Sequence, residues 1–235
     1  MKAWTTKNGY KLIRILAGRS NVFLLSGGNK NMLIDTSVSP LWRKLQKRLI
    51  NLGVDKIDYL ILTHAHFDHA ANASRIKNKF HSAVIIQKLE ATYLATGDNI
   101  IPDGTNPLTR FIMNVGKRFQ NKFRYAPCLY DIVVDDFLDM KQFGINAGLM
   151  HTPGHTAGSM SLIVDDEIAL VGDTMFGVFP DSVFPPYALN PYEMVKSWGK
   201  LLETSCTLFL PGHGSGNSRE LVERDYKKRN RSKLT

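Results

Sequence analysis

Residues 63–70 read THAHFDHA and place His64, His66, Asp68 and His69 within six positions of a chain that has seven histidines in 235 residues. From the composition, an H-x-H-x-D-H pattern arises by chance on the order of a few times in ten thousand such chains, so coincidental clustering of polar turn residues is a poor explanation. The apolar run Ile57 to Leu62 precedes the pattern, and its unbroken character predicts a strand buried on both faces of a sheet. Strand side chains alternate, so a strand ending at Thr63 can present His64 and His66 on one side. Asp68 and His69, entering a following helix, turn away and can address a second point. Imidazole nitrogen and carboxylate oxygen are the donors that zinc and similar divalent ions take. Four such groups that cannot converge on one tetrahedral centre imply two neighbouring ions.

The rest of the chain supplies candidates for the missing partners, each on a loop after a predicted strand. His155 lies in HTPGHTAGS, where Pro153 and Gly154 predict a tight turn. Asp173 follows the strand Ile168 to Gly172, and His213 follows Thr207 to Leu210 between two glycines that permit close backbone approach. Together with the cluster these complete a two-metal set.

Outward from these points, Tyr10 to Leu16, Asn21 to Leu25 and Met32 to Asp35 read as strands. Ser39-Pro40 reads as an N-cap and first-turn pair, with Leu41, Leu45, Leu49 and Leu52 at helical spacing until Gly53. A helix is expected from the histidine cluster to about Lys79, then a strand at Ala83 to Ile86. Further strands are predicted at Gly144 to His151 and Met160 to Val164, and a helix opening in capping-box style at Asn190-Pro191-Tyr192-Glu193. Residues 96–130 form an insertion, turn-rich from Asp98 to Pro107, in which Phe111, Val115, Phe119 and Phe123 recur every four residues; the expectation is an amphipathic helix packed on the body, with a lid or a membrane-facing helix as alternatives. Strands and helices alternate in both halves without a linker or repeat, which predicts one α/β (α+β) layered domain over 1–235 with its site where strands end.

The net charge is +9, and residues 219–235 carry +4 of it in seven basic and three acidic side chains. This C-terminal stretch, 218–235, reads as a basic helix and solvated tail. Cys128 and Cys206 sit in no metal or disulfide spacing and read as ordinary thiols. No apolar run approaches the roughly 18 to 20 residues a bilayer span needs, and the first residues lack an export signal, so the expected location is cytoplasmic.

The ordered series LIDTS around Asp35, THAHFDH, HTPGHTAGS, GDT around Asp173 and PGHG around His213 resembles the metallo-β-lactamase fold hydrolase superfamily over most of the chain. The resemblance implies a four-layer αβ/βα sandwich with a dinuclear site at one edge. In it His64, His66 and His155 hold the first metal, Asp68, His69 and His213 the second, and Asp173 bridges them. It implies hydrolysis by a metal-bridging hydroxide, Asp68 as the proton shuttle and Asp35 as a supporting residue, with His81 and His151 outside the set. Zinc suits these donors, as do iron and manganese. Asp at 173, where the commonest exported β-lactamases carry Cys, argues against antibiotic hydrolysis. His66 argues against the flavodiiron branch, where Glu stands at that position. The 22 residues after His213 leave no room for a glutathione-holding domain. What remains is a lactonase-, thioesterase- or phosphodiesterase-like hydrolase, with esters, thioesters or lactones favoured because Phe111 to Phe123 and the loop Phe179 to Tyr187 could wall an acyl pocket. Tyr187 or Tyr192 is a candidate to meet the oxyanion. The second expectation, carried by the basic tail and Lys117 to Arg124, is phosphodiester hydrolysis or nucleic-acid binding. Oligomeric state is not encoded.

Overall fold

The computed structural model describes residues 1–99 and 101–231, so part of the basic tail lies outside the described residues. The first half of the chain forms β1 (Ala3–Thr5), β2 (Lys11–Leu16), β3 (Val22–Gly27), β4 (Lys30–Ile34), α1 (Trp42–Asn51), β5 (Tyr59–Ile61), α2 (Phe67–Ala70), α3 (Ala73–Phe80), β6 (Ala83–Gln87), α4 (Ala91–Thr96), α5 (Pro107–Lys117) and β7 (Ile132–Val134). These seven strands make one sheet in sequence order, antiparallel through β4 and parallel from β4 to β7. The second half gives β8 (Phe137–Asp139), β9 (Ala147–His151), β10 (Met160–Val164), β11 (Ile168–Gly172), α6 (Pro191–Leu202), β12 (Leu208–Pro211), β13 (Asn217–Ser218) and α7 (Arg219–Arg231). Its six strands run in the order β13-β12-β11-β10-β9-β8.

Strand alternation divides the apolar side chains among three cores. On β4, Leu33 faces α1 and α3 and joins Leu45, Leu49, Leu60 and Ile76, whereas Met32 and Ile34 face the second sheet and join Leu149, Leu162 and Leu170. The opposite face of the second sheet, through Ile163, Val171 and Phe209, packs on Trp198 and Leu201 of α6 and Val222 of α7. Helix, sheet, sheet and helix are therefore four stacked layers, as expected, and each interface is filled by large buried side chains.

Several local expectations are revised. The helix after the histidine cluster breaks into α2 and α3 because Asn72 is committed elsewhere: its backbone N–H donates to Thr36 Oγ1 and its amide to three carbonyls of Thr36, Ser37 and Val38. Ser39 does not cap α1; a short 3₁₀ turn, Ser39–Leu41, comes first and the Ser39 hydroxyl donates to Ala71 O. Asn190 does cap α6 by accepting from Glu193 N, but the Glu193 carboxylate turns to Lys196 at 3.3 Å rather than back to the cap. The reciprocal capping box occurs instead at α5, between Asn106 and Thr109. The largest revision concerns α5 itself. Phe111, Val115 and Phe119 point into solvent, and only Phe123, stacked on Phe67 at 4.9 Å, packs inward. Cys128 and Cys206 are buried free thiols, each pushed up to about 11 by burial.

Candidate metal centre

The strand ends deliver the donors. β4 and β5 lead into Asp35 and Thr63, and Asp35 is held at φ 60°, a conformation that a residue with a side chain adopts at a cost. That conformation aims its carboxylate at three donors: Thr63 N at 2.8 Å, Thr63 Oγ1 and the Nδ1–H of His69 at 2.8 Å. His69 Nε2 is thereby turned toward His213 Nε2, 3.4 Å away, and Asp173 Oδ1, 3.3 Å away. His155 is oriented likewise, its Nδ1–H donating to the carbonyl of Tyr187 at 2.9 Å. His64 Nδ1 lies 3.1 Å from Thr63 Oγ1. Each of these rings is fixed by one nitrogen so that the other faces a common centre.

At that centre His66 Nδ1 is 3.0 Å from His64 Nε2 and 3.1 Å from His155 Nε2. Asp68 Oδ2 is 3.3 Å from His213 Nε2. Asp173 reaches both groups, with Oδ2 3.5 Å from His155 Nε2 and 3.2 Å from His213 Nε2. Three overlapping donor sets result, each drawn together within 4.8 Å: His64, His66 and His155; His64, His69 and Asp173; Asp68, His69 and His213.

The donor chemistry fits cations. Tetrahedral zinc with bonds near 2.0–2.1 Å separates its ligand nitrogens by roughly 3.3 Å, close to the spacing within the first set. Asp173 Oδ1 is also buried with no well-aligned hydrogen bond among the described residues, its one close contact being His69 Nε2 at 3.3 Å, and a cation would satisfy it better.

The electrostatics split the site. Burial lowers the pKa of His64, His66 and His155, taking His66 to about 3, so the first set is neutral. Burial opposes protonation of His69 and His213 too, but the Asp173 carboxylate, with Asp35 and Asp68, outweighs it. His69 is raised well above its ordinary value and His213 to about 9. Asp173 is correspondingly held well below the usual carboxylate range, because His213 and His69 outweigh its burial.

Comparison with known proteins gives the family. The family model of the metallo-beta-lactamase superfamily matches residues 15–218. The chain belongs to the metallo-beta-lactamase superfamily. It is similar to the probable metallo-hydrolase MJ0888 of Methanocaldococcus jannaschii, at 32% identity over 157 residues that span 67% of this chain and 68% of that one. It also resembles the hydroxyacylglutathione hydrolase of Shewanella pealeana, at 23% identity over 79% of this chain, which spans 53% of that enzyme's length. The crystal structure of the archaeal superfamily protein ST1585 from Sulfolobus tokodaii superposes with a TM-score of 0.65 at 22% identity, covering 92% of this chain and 85% of that one, and shares the fold. As a member of the metallo-beta-lactamase superfamily, the chain is a metal-dependent hydrolase.

All seven residues singled out in the sequence meet at this one place, and His81 and His151 stand apart from it, His151 beside Asp136 and Ala157 O. Sequence reasoning passed over the residues that brace the loops. Glu90 is the foremost: its buried carboxylate accepts from Ala65 N at 2.9 Å and Gly158 N at 3.1 Å, tying the His64–His66 loop to the His155 loop. Tyr125 Oη donates to Ala65 O at 2.7 Å, and Asn99 Oδ1 accepts from Phe67 N at 2.9 Å. On the far side, α6 holds two loops at once, Ser197 donating to Pro153 O and Trp198 Nε1 to Thr174 O. Gly154, at φ 132°, lets the His155 turn press against Met194, where an added Cβ would lie 2.2 Å from the backbone.

Above the donors opens a cavity of about 410 Å³, walled by Ile101, Pro102, Met113, Phe123, Phe176 and Tyr187. Of the two stretches expected to wall a pocket, Phe123 and Tyr187 line the cavity together with Met113 and Gly116, whereas Phe111, Phe119 and Phe179 are exposed outside it. Tyr192 does not line this cavity.

Proposed function

We propose that this hydrolase cleaves an ester, thioester or lactone. In this reading His64, His66 and His155 hold one divalent ion, Asp68, His69 and His213 hold a second, and Asp173 is shared. The observation that carries it is the placement of the three donor sets at the floor of a cavity whose walls are largely apolar. Zinc is the ion these nitrogen and oxygen donors suit best, with iron and manganese as the alternatives. Bound ions of this kind lower the pKa of water and polarise the bond under attack.

The chain's own residues do the rest. Asp35 and the Tyr187 carbonyl hold His69 and His155 in the tautomers that aim Nε2 inward. Asp68 is the one donor carboxylate with appreciable exposure to the cavity, at 19% of its side chain, and its neighbours His69 and His213 keep it ionised, which supports it as the group that would take a proton from the attacking water and pass it to the departing oxygen or sulfur. The apolar walls seat the acyl portion and exclude water from it. A second reading, phosphodiester hydrolysis, is favoured by a neighbouring groove that shares Arg19, Asp68 and His213 with the cavity and is edged by Lys122 and Arg124.

A side-by-side screen of the zinc-, iron- and manganese-loaded protein on lactones, thioesters, carboxyl esters, phosphodiesters and β-lactams separates the two. Turnover confined to the carbonyl substrates is expected. Turnover of phosphodiesters alone transfers the assignment to the second reading, and failure with every metal and substrate removes both.

Metal uptake should depend on pH at one set only. Ligand nitrogens bind metal unprotonated. With His213 at about 9 and His69 raised as well, a proton must be displaced from each across the neutral range, so affinity at the second set should fall by more than tenfold, up to about a hundredfold, for each pH unit lost. The first set is already neutral and should bind zinc almost equally well at pH 6 and pH 8. Calorimetric titration of the metal-free protein should resolve a flat first step and a steep second one that releases protons. Two steps of equal pH slope would contradict the assignment of the donors.

A further inference from the structure

The outer face of α5 has no counterpart in the fold. Leu108, Phe111, Ile112, Val115 and Phe119 are between 42% and 70% exposed. At 100° per residue the four on the helix, Leu108, Phe111, Ile112 and Val115, fall within an arc of about 100°, a continuous apolar stripe, and Phe119 adds an exposed ring in the turn just beyond the helix end. Scattered exposed apolar residues need no explanation, but four aligned on one helix face with a fifth beside them do. The same segment is one-sided in charge: residues 104–130 contain Arg110, Lys117, Arg118, Lys122 and Arg124 and no acidic residue. Lys117 and Arg124 pair with Asp103 and Asp98, whereas Arg110, Arg118 and Lys122 have no acidic partner within ion-pair distance among the described residues. Lys122 Nζ lies over the Phe119 ring, 4.9 Å from its centroid. The inner face of this helix, through Met113 and Gly116, walls the cavity over the donors.

We propose that α5 and the turn after it dock on an anionic lipid bilayer, burying these five apolar side chains at the headgroup boundary while the cations meet lipid phosphates and carboxylates. An apolar stripe flanked by basic residues, on a helix of low overall hydropathy, is the combination that lies in such an interface. Each cation near an anionic surface strengthens partition roughly fivefold. A second copy of the chain fits the same stripe less well, because a two-fold contact would set the cations of one α5 against those of the other. Docked this way, the helix that walls the cavity lies at the membrane boundary, where a hydrophobic acyl compound is concentrated.

The test is sedimentation with vesicles, and it needs no bound metal. The protein should partition onto phosphatidylcholine vesicles containing phosphatidylserine, weakly or not at all onto pure phosphatidylcholine, and less as salt is raised. F111S/F119S and R118E/K122E should each weaken partition tenfold or more, with circular dichroism and thermal midpoint unchanged because these side chains are solvent-facing. The proposal is overturned by no partition onto anionic vesicles at low salt, by variants that partition like the parent, or by a stable dimer that F111S/F119S dissociates.

Discussion

Asp173→Ala is expected to lower metal content from close to two ions per chain to one or none and to reduce kcat/KM by at least about a thousandfold. The argument is positional. Its carboxylate lies between the two donor sets, 3.5 Å from His155, 3.3 Å from His69 and 3.2 Å from His213. It is also the leading influence holding His69 and His213 protonated in the metal-free site, so its removal takes away the negative charge that both sets share. Asp173→Asn keeps the shape and hydrogen-bonding capacity and loses the charge. If Asp173 only packs, the Asn variant should keep both ions, whereas a shared ligand requires Asn to fail nearly as badly as Ala. Elemental analysis of the two variants beside the parent protein decides it.

Gly212→Ala should damage the site almost as much although it removes no donor. A methyl group there would sit 2.3 Å from Asp173 Oδ1 and 2.6 Å from His69 Cε1, both far inside contact distance. The backbone has no room to retreat: Gly212 N–H donates to Gly172 O at 2.7 Å and Asn21 N–H donates to Gly212 O at 2.6 Å. The strain must then be absorbed by Asp173 and by His69, whose ring is held by Asp35 at 2.8 Å. We expect loss of the ion at Asp68, His69 and His213, an activity drop of at least about a hundredfold, and destabilisation of about 1–3 kcal/mol from overpacking, with the fold retained by circular dichroism. Gly116→Ala in α5, where nothing lies within 4 Å of the added methyl, is the control and should keep both ions. A Gly212→Ala protein with full metal content and activity would show that this corner is softer than its hydrogen bonds indicate.

The seven candidate donors were legible in the sequence because they lie in the loops and the short helix that follow strands, and the strand ends of the two sheets converge at one edge of the sandwich. Met160 to Val164 and Ile168 to Gly172 could be bounded to the residue, since both are short, apolar and closed by turn residues. Other features depend on distant partners that no local pattern carries. Glu90 in KLEATY reads as an ordinary helix-entry residue, and only the folded chain brings Ala65 N and Gly158 N to it. Short strands such as β7 and β8 exist because an edge of a sheet is available to them. The four-residue spacing of Phe111, Val115 and Phe119 identified a helical face but could not say what covers it, and the assumption that the body does was wrong for these side chains. Periodicity reports that a face exists; burial is a property of the neighbours.

The split origin of the donors bears on the order of folding. His64, His66, Asp68 and His69 follow β5 in the first sheet, whereas His155, Asp173 and His213 follow β9, β11 and β12 in the second. Neither sheet alone holds a complete set, and the chain between His64 and His213 must be closed before the last donor arrives, a contact of long sequence separation that forms late. Ions added at the start of refolding should therefore leave the early rate unchanged and slow unfolding instead, acting as a latch on a finished structure rather than a seed for it.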